Sequence, residues 1–266
     1  MKIDIEQVII AKNPKLQKVI PKFLFRWLAK LIHQEEINLA LVKLKNYSGV
    51  EFISEVLKEL KIEYEVEGLD NIDLQKRYVV VSNHPMGGLD GLVLLELFGK
   101  LFSGVKSMTN DLLYHLEPLK PVFIPVNKYG RQSQQSVAML KESYLSNDPI
   151  LYFPAGLCSR KIKGEITDLE WRKSYLTQAV KHKRDILPLY FEGRNSNLFY
   201  RLANLRVRLG IKFNFETILL PHEMFRQKNR RLKLYIGKAI SHEELTDGKT
   251  LQEWNSEIRK RVYNLK

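Results

Sequence analysis

The stretch running from Tyr78-Val79-Val80-Val81-Ser82 through Asn83-His84-Pro85-Met86-Gly87-Gly88-Leu89-Asp90 constrains this chain more than any other. Its β-branched first half reads as a buried strand, its glycines as a turn, and the apolar run from Gly91 to Phe98 as the start of a helix. Strand, turn and helix in succession form the unit of a layered α/β fold. The alternation recurs along the chain. Strands are expected at 77–82, 105–108, 122–126, 150–153, 186–191 and 232–236, and helices at 91–102, 110–116, 132–145, 171–182, 197–207 and 251–262. Ahead of them Ile62, Tyr64 and Val66 alternate with glutamates as a half-exposed strand ending at Gly68. Helices at 37–45 and 50–60 precede that strand. The pattern predicts an α/β sandwich around a mixed, mainly parallel sheet, with ligands at the carboxyl ends of the strands.

Within the turn, a histidine at a strand's tip and a carboxylate six positions later can act as a base and its orienter. The carboxylate accepts from one ring nitrogen and fixes the tautomer, which leaves the other nitrogen to take a proton. Gly87 and Gly88 let the backbone pass close to a reacting atom near a helix N-terminus. The plainer reading is a strand-to-helix turn capped by Asp90, with His84 incidental. His115, His182, His222 and His242 have no carboxylate at useful spacing on a common element, and no metal-ligand spacing occurs.

Asn83-His84-Pro85 followed by Asp90 resembles the His–Asp motif of the glycerol-phosphate and lysophospholipid acyltransferase superfamily. Three later segments keep that family's order. Phe123-Ile124-Pro125-Val126-Asn127-Lys128 is similar to its second motif, Phe153-Pro154-Ala155-Gly156 to its third, and Ile186-Leu187-Pro188-Leu189-Tyr190 to its fourth. The resemblance covers the stretch between Tyr78 and Gly193 and not the first 60 or so residues. It implies a single acyltransferase domain over residues 62–266, preceded by an N-terminal helical region, 1–61. It also implies His84 and Asp90 as the catalytic pair, with Asn83, Gly87, Gly88 and Gly156 around the substrate. Two departures stand out. Five residues separate His84 from Asp90 where the family usually has four. Ala155 stands in place of a glutamate and Cys158 in place of an arginine, the residues that in the family help hold the head of a glycerol-phosphate acceptor. Arg160 and Lys161 are the candidates to replace that grip.

A formal charge of +13 calls for an anionic partner surface. Zinc-finger spacing and arginine-rich aromatic repeats are missing and the cations are scattered, which argues against nucleic acid. From Lys12 to His33 there are six basic side chains (Lys12, Lys15, Lys18, Lys22, Arg26, Lys30) and no acid. Ile20, Phe23, Leu24, Trp27, Leu28, Leu31 and Ile32 recur at helical spacing, and Pro21 places the helix start near Ile20. With Lys18, Lys22, Arg26 and Lys30 on the opposite stripe, this is the pattern of a helix lying in an anionic membrane interface. A helix packing its apolar face on the core is the alternative. Arg160-Lys161-Ile162-Lys163-Gly164, with Lys128 and Arg131, reads either as a solvated loop or as a site for coenzyme A phosphates or an acyl carrier's acidic surface. Arg194 closes the fourth-motif strand beside the same cleft, and Arg201, Arg206 and Arg208 are expected on an exposed helix face. The single cysteine, Cys158, has no nearby base and reads as a structural thiol in a reducing compartment. The start of the chain lacks a signal-peptide pattern, and no run approaches the roughly 18–20 apolar residues of a membrane span. A cytoplasmic, peripheral position on the inner membrane face is the expectation.

Taken with the resemblance, these features predict transfer of a fatty acyl group to a lysolipid hydroxyl, the acceptor being a lysophospholipid or a lyso-amino-acid lipid. The donor is acyl-CoA or an acyl carrier protein, and no cofactor or metal is expected. No serine or cysteine fits the nucleophile-elbow pattern, so attack on the thioester is direct. Hydrolysis of a thioester or lysophospholipid by the same pair is an alternative from another reaction class. A basic, non-catalytic membrane-binding protein is the alternative outside enzymes.

Overall fold

The first helices are α1 (Ile5–Lys12), α2 (Lys22–Leu31), α3 (Gln34–Lys43) and α4 (Gly49–Glu59). They are followed by β1 (Glu63–Glu67), β2 (Tyr78–Ser82), α5 (Leu89–Phe102), β3 (Lys106–Thr109) and β4 (Phe123–Pro125). Next come α6 (Gln134–Leu145), β5 (Ile150–Tyr152), β6 (Arg160–Ile162), β7 (Glu165–Thr167) and α7 (Ser174–Lys181). The rest comprises β8 (Asp185–Glu192), α8 (Asn197–Arg208), α9 (Leu220–Arg226), β9 (Arg231–Ile236) and α10 (Leu251–Tyr263). This computed structural model describes residues 2–12, 21–109, 116–125 and 133–266. The helix expected at 110–116 lies almost wholly outside them.

Seven strands form one sheet in the order β1-β9-β8-β2-β5-β3-β4. Every pairing is parallel except β8 with β9. The mixed, mainly parallel sheet is therefore the one that the alternation predicts. β2 is its middle strand, with Val80 opposite Leu151 on one side and Leu187 on the other. Successive residues of a strand point to opposite faces. Accordingly Tyr78 and Val80 join a core with Phe52, Ile53 and Leu57 of α4 and Val93, Leu94 and Phe98 of α5. Val79 and Val81 join a second core with Tyr175 and Leu176 of α7 and Trp254 and Ile258 of α10. A strand covered on both faces needs an unbroken apolar run, which is why β2 lacks polar alternation.

Pro188 sits inside β8, a position a central strand rarely allows because proline cannot donate to the ladder. The antiparallel ladder to β9 starts only at Leu189↔Ile236. Ile186 is bridged instead to Ile240, and the Gly237 N–H donates to the Pro188 carbonyl. Pro188 thus lies where the partner strand bends away and no N–H is required of it.

The N-terminal helices are not packed apart from the sheet. Leu41, Leu44, Phe52, Ile53 and Leu57 share the core of α5 and β2, so the boundary expected near residue 61 runs through continuous packing. The close approach of α4 to α5 requires Gly99, where a Cβ would meet Val50 Cγ2 at 2.3 Å. In α2 the buried residues are Phe25 and, just beyond the helix, Ile32, with Leu24, Leu28 and Leu31 half-buried. At 3.6 residues per turn these five share one arc. Phe23 and Trp27 fall on the other arc, beside Lys22, Arg26 and Lys30, and all five are exposed. This corrects the expectation that the aromatics and the cations occupy opposite stripes. Ile20, Lys15 and Lys18 lie outside the described residues.

Candidate active site

β2 ends at Ser82, and the next residue ties the strand ends together. The Asn83 side chain donates to the Phe191 carbonyl at 3.0 Å and accepts the Phe191 N–H at 2.7 Å. Both of its amide atoms are engaged with β8 in a buried position, so Asn83 sutures β2 to β8. It holds the loop that follows.

In that loop His84 Nδ1 lies 3.0 Å from Asp90 Oδ2. The Met86 and Gly87 N–H groups donate to the same oxygen at 2.9 and 3.2 Å, and the Gly91 N–H donates to Oδ1 at 2.9 Å. Asp90 is the second residue of α5, where the helix N-terminus favours a negative charge. Burial pushes its pKa up, but His84 and the N–H donors outweigh burial and hold it below the usual carboxylate range. For His84, burial disfavours the charged ring, while the charge and hydrogen bond of Asp90 favour it, and the net direction is up. With Nδ1 engaged by a carboxylate, Nε2 is the nitrogen left to accept a proton. The ring is 15% exposed and stacks on Phe153 of the third motif, centroids 4.0 Å apart.

The turn between His84 and Asp90 passes through Gly87. Its φ of +77° is open to glycine, and a Cβ there would meet Cys158 Cβ at 2.9 Å. Its N–H points at Asp90, so it is not an oxyanion donor. Gly88 and Gly156 differ: a Cβ at either would meet nothing within 4 Å, so both backbones border open space.

Sequence spacing gave no hint of Asp168. Its carboxylate accepts the backbone N–H of His84 at 3.2 Å, the Ser159 hydroxyl at 2.5 Å and Trp171 Nε1 at 2.9 Å. Ser159 N–H in turn donates to the His84 carbonyl at 2.7 Å. Asp168 therefore joins the His84 loop to the segment after the third motif. Burial raises its pKa, against the pull of those donors.

The cations expected to grip an acceptor are differently placed. Arg160 is buried, with Nη2 2.7 Å from Glu216 Oε1 and Nη1 2.6 Å from the Cys158 carbonyl. Leaving a buried carboxylate without its cation is costly, so this guanidinium is not available to a substrate phosphate. Arg206, expected on an exposed face, also turns inward: its Nε lies 3.0 Å from Glu216 Oε2, although without hydrogen-bond alignment. Arg201 and Arg208 are exposed, as expected. Lys161 is exposed on the β6–β7 hairpin. Lys128 and Arg131 lie outside the described residues. Arg194 is exposed, hydrogen-bonded to Asn197 Oδ1 at 2.6 Å, and lines a polar cleft of about 810 Å³ bordered also by Pro85, Met86 and Ser159. Cys158 is buried and its thiol is pushed up to about 11, mainly by desolvation. Among the described residues no three His, Cys, Asp or Glu side chains cluster as metal ligands.

An imidazole oriented by a buried carboxylate at a strand's carboxyl end is an arrangement suited to acyl transfer. Two relatives align along nearly the whole chain. Lyso-glycine lipid O-acyltransferases of Bacteroides thetaiotaomicron and Phocaeicola vulgatus are 40% and 41% identical to this chain over 264 residues. Each alignment covers 99% of this chain, with 97% and 95% of the respective relatives. The crystal structure of the 1-acyl-sn-glycerophosphate (LPA) acyltransferase PlsC from Thermotoga maritima is similar with a TM-score of 0.48 and 18% identity, covering 91% of this chain and 92% of that one. The model of the acyltransferase family matches residues 7–266, through the N-terminal helices as well as the sheet and its His84 loop, and the chain is an enzyme of that family.

Proposed function

We propose that this acyltransferase moves a fatty acyl group from an acyl thioester to the hydroxyl of a lysolipid, that the acceptor is a glycine-bearing lysolipid, and that the reaction takes place at a membrane surface. The observation that carries the reading is the His84–Asp90 contact, which leaves one imidazole nitrogen to accept a proton. His84 Nε2 takes the hydroxyl proton as the acceptor oxygen attacks the thioester carbonyl. Asp90 orients the ring and stabilises the imidazolium. The Gly88 N–H is the candidate donor to the developing oxyanion, and such a donor contributes about 3–4 kcal/mol where tested. Collapse forms the ester and expels the thiolate, which takes its proton from the imidazolium. An acyl-enzyme on Cys158 is disfavoured, because a buried thiol raised to about 11 is a poor nucleophile.

The acceptor reading rests on the two relatives' names and on local structure. Ala155 and Cys158, at the positions of the family's acidic and basic residues, are both buried, and Arg160 is committed to Glu216. A phosphomonoester carries about −1.5 to −2 charges and needs charge-assisted donors when desolvated. A lysolipid without one suits this site better. The membrane reading rests on α2, where Phe23 and Trp27 are 65% and 55% exposed on the arc that carries Lys22, Arg26 and Lys30. No helix among the described residues is long and apolar enough to cross a bilayer, which suits a peripheral contact.

Incubating the purified protein with an acyl thioester and lyso-glycine lipid should give new ester in proportion to thiol released. Free fatty acid and thiol without ester would make the enzyme a hydrolase. A preference for lysophosphatidate of a hundredfold or more in kcat/KM would overturn the choice of acceptor.

A further inference from the structure

The exposed apolar surface of this protein is not limited to α2. Along α8 and its C-terminal cap, Leu198, Leu205 and Leu209 recur at i, i+7 and i+11 and form one outward stripe, flanked by Arg201 and Arg208. The stripe continues into the next segment as Ile211, Lys212 and Phe213. Leu209 is 61% and Phe213 66% exposed. Between Glu192 and Glu216 the sequence contains no acidic residue. The β6–β7 hairpin lies alongside, since Asn204 Nδ2 donates to the Lys161 carbonyl at 3.2 Å. Its turn, Lys163-Gly164, has positive φ at both residues (50° and 93°), the two-residue hairpin geometry that holds Lys161, Ile162 and Lys163 out at the tip. Glu165 is the exposed acid on that hairpin. Leu31 at the end of α2 and Leu202 on α8 pack against the same small cluster of Cys158, Phe199, Tyr200 and Leu219. The two helices thus share this cluster.

We propose that the outer face of α8, the segment through Phe213 and the tip of the β6–β7 hairpin form a second lipid-docking surface, whose occupant is an anionic bilayer. The inference rests on the reading of the enzyme as acting at a membrane, and adds a contact to the one through α2. An apolar stripe bordered by cations matches the boundary between acyl chains and anionic headgroups. A second copy of this chain fits less well. In a two-fold interface the same patch meets itself, which brings Arg201, Arg208 and Lys212 against their own equivalents in a protein whose formal charge is already +13. The surface also gives the basic hairpin a role. Arg160 at its base serves the interior, while Lys161 and Lys163 at its tip serve the headgroups.

The test uses the full chain with phosphatidylglycerol-rich vesicles. Leu209→Asp/Phe213→Asp should weaken vesicle binding about tenfold or more and lower transfer to a vesicle-embedded acceptor by a similar factor. Transfer to a short-chain, water-soluble acceptor should stay unchanged, because neither residue touches the His84 site. Separately, an environment-sensitive fluorophore on Phe213→Cys should brighten several-fold on adding vesicles, with Cys158 too buried to compete for the label. Unchanged vesicle binding, a silent fluorophore, or conversion of a wild-type dimer to a monomer by the double substitution would each overturn the proposal. Phe23→Asp/Trp27→Asp is the parallel variant for α2. If it abolishes binding while Leu209→Asp/Phe213→Asp has no effect, the second surface fails and the membrane reading stands. If the wild-type protein itself does not bind the vesicles, the membrane reading fails.

Discussion

Two histidine–aspartate pairs lie at opposite ends of the same two paired strands. His84 and Asp90 meet at 3.0 Å just beyond the carboxyl end of β2, and His242 and Asp185 meet at 2.9 Å at the amino end of β8. In both the ring offers Nδ1, and in both the aspartate is held below the usual carboxylate range despite its burial. Their surroundings differ. Asp185 also receives Lys76 Nζ at 3.1 Å and the His242 N–H at 3.0 Å, so its charge is met by a lysine whatever the state of the ring. Asp90 hydrogen-bonds to neutral backbone N–H groups and to His84, which makes the imidazolium the cation it favours. The His84 ring stacks on Phe153, and the backbones of Gly88 and Gly156 in the adjoining loops border open space. His242 sits within a turn in which Ser241, Glu243 and Glu244 bond one another. The contact distance therefore does not mark a general base. The position at a strand's carboxyl end and the otherwise unbalanced carboxylate are what set His84 apart from His242.

The largest contrast should come from truncating each histidine. His84→Ala should lower kcat about 10³-fold or more, since a positioned base is typically worth about 10²–10⁴-fold. His242→Ala should leave kcat within about twofold. Steady-state rates on purified, folded variants decide between them, and comparable losses in the two variants would erase the distinction.

Substituting the carboxylates sharpens the comparison through pH. In the wild type Asp90 raises His84 above its ordinary value near 6.5, against the opposing effect of burial. A base works only when unprotonated, so the acid limb of kcat/KM should lie above that value. In Asp90→Asn the attraction is gone and burial remains, so the limb should move to lower pH while the plateau falls roughly 10²-fold. Asp185→Asn should leave the limb in place. An acid limb that stays put in Asp90→Asn would mean that His84 is not the titrating base.

What was legible in the sequence was local. The strand of Tyr78–Ser82, the glycine turn and the helix from Leu89 were readable because each element's periodicity lies within its own residues. The His84–Asp90 pair was readable because six positions span one turn. Contacts closed by the fold were not. Asp168 lies 84 residues from His84, Glu216 lies 56 from Arg160, and Phe191 lies 108 from Asn83. No local spacing could pair them. In α2 the apolar residues fill most of the helix circumference, so periodicity alone did not tell which arc is buried. Packing through Leu24, Phe25 and Leu28 left Phe23 and Trp27 outside. The basic hairpin misled for a related reason, since five residues in a row split between an interior ion pair and an exposed tip.

The smallest effect expected is on stability, and it belongs to the second pair. His242→Ala removes a hydrogen bond to a nearly buried carboxylate, a loss of about 1 kcal/mol at neutral pH. Its pH dependence follows from Asp185. Burial pushes the Asp185 pKa up, but His242 and Lys76 more than offset it, and the folded value lies below the unfolded one near 3.8. A carboxyl group depressed in this way contributes stability above its unfolded pKa, and that contribution is lost as pH falls through the folded value. Without the imidazole contact the depression is smaller, because only Lys76 and the backbone N–H of residue 242 remain. The variant should therefore differ most from wild type near pH 7, converge with it in strong acid, and begin acid unfolding at a slightly higher pH. Urea titrations at a series of pH values would read all three. A deficit in His242→Ala that persists undiminished below pH 3 would mean that the ring acts through packing rather than through Asp185. The second pair would then no longer be an electrostatic counterpart to the first.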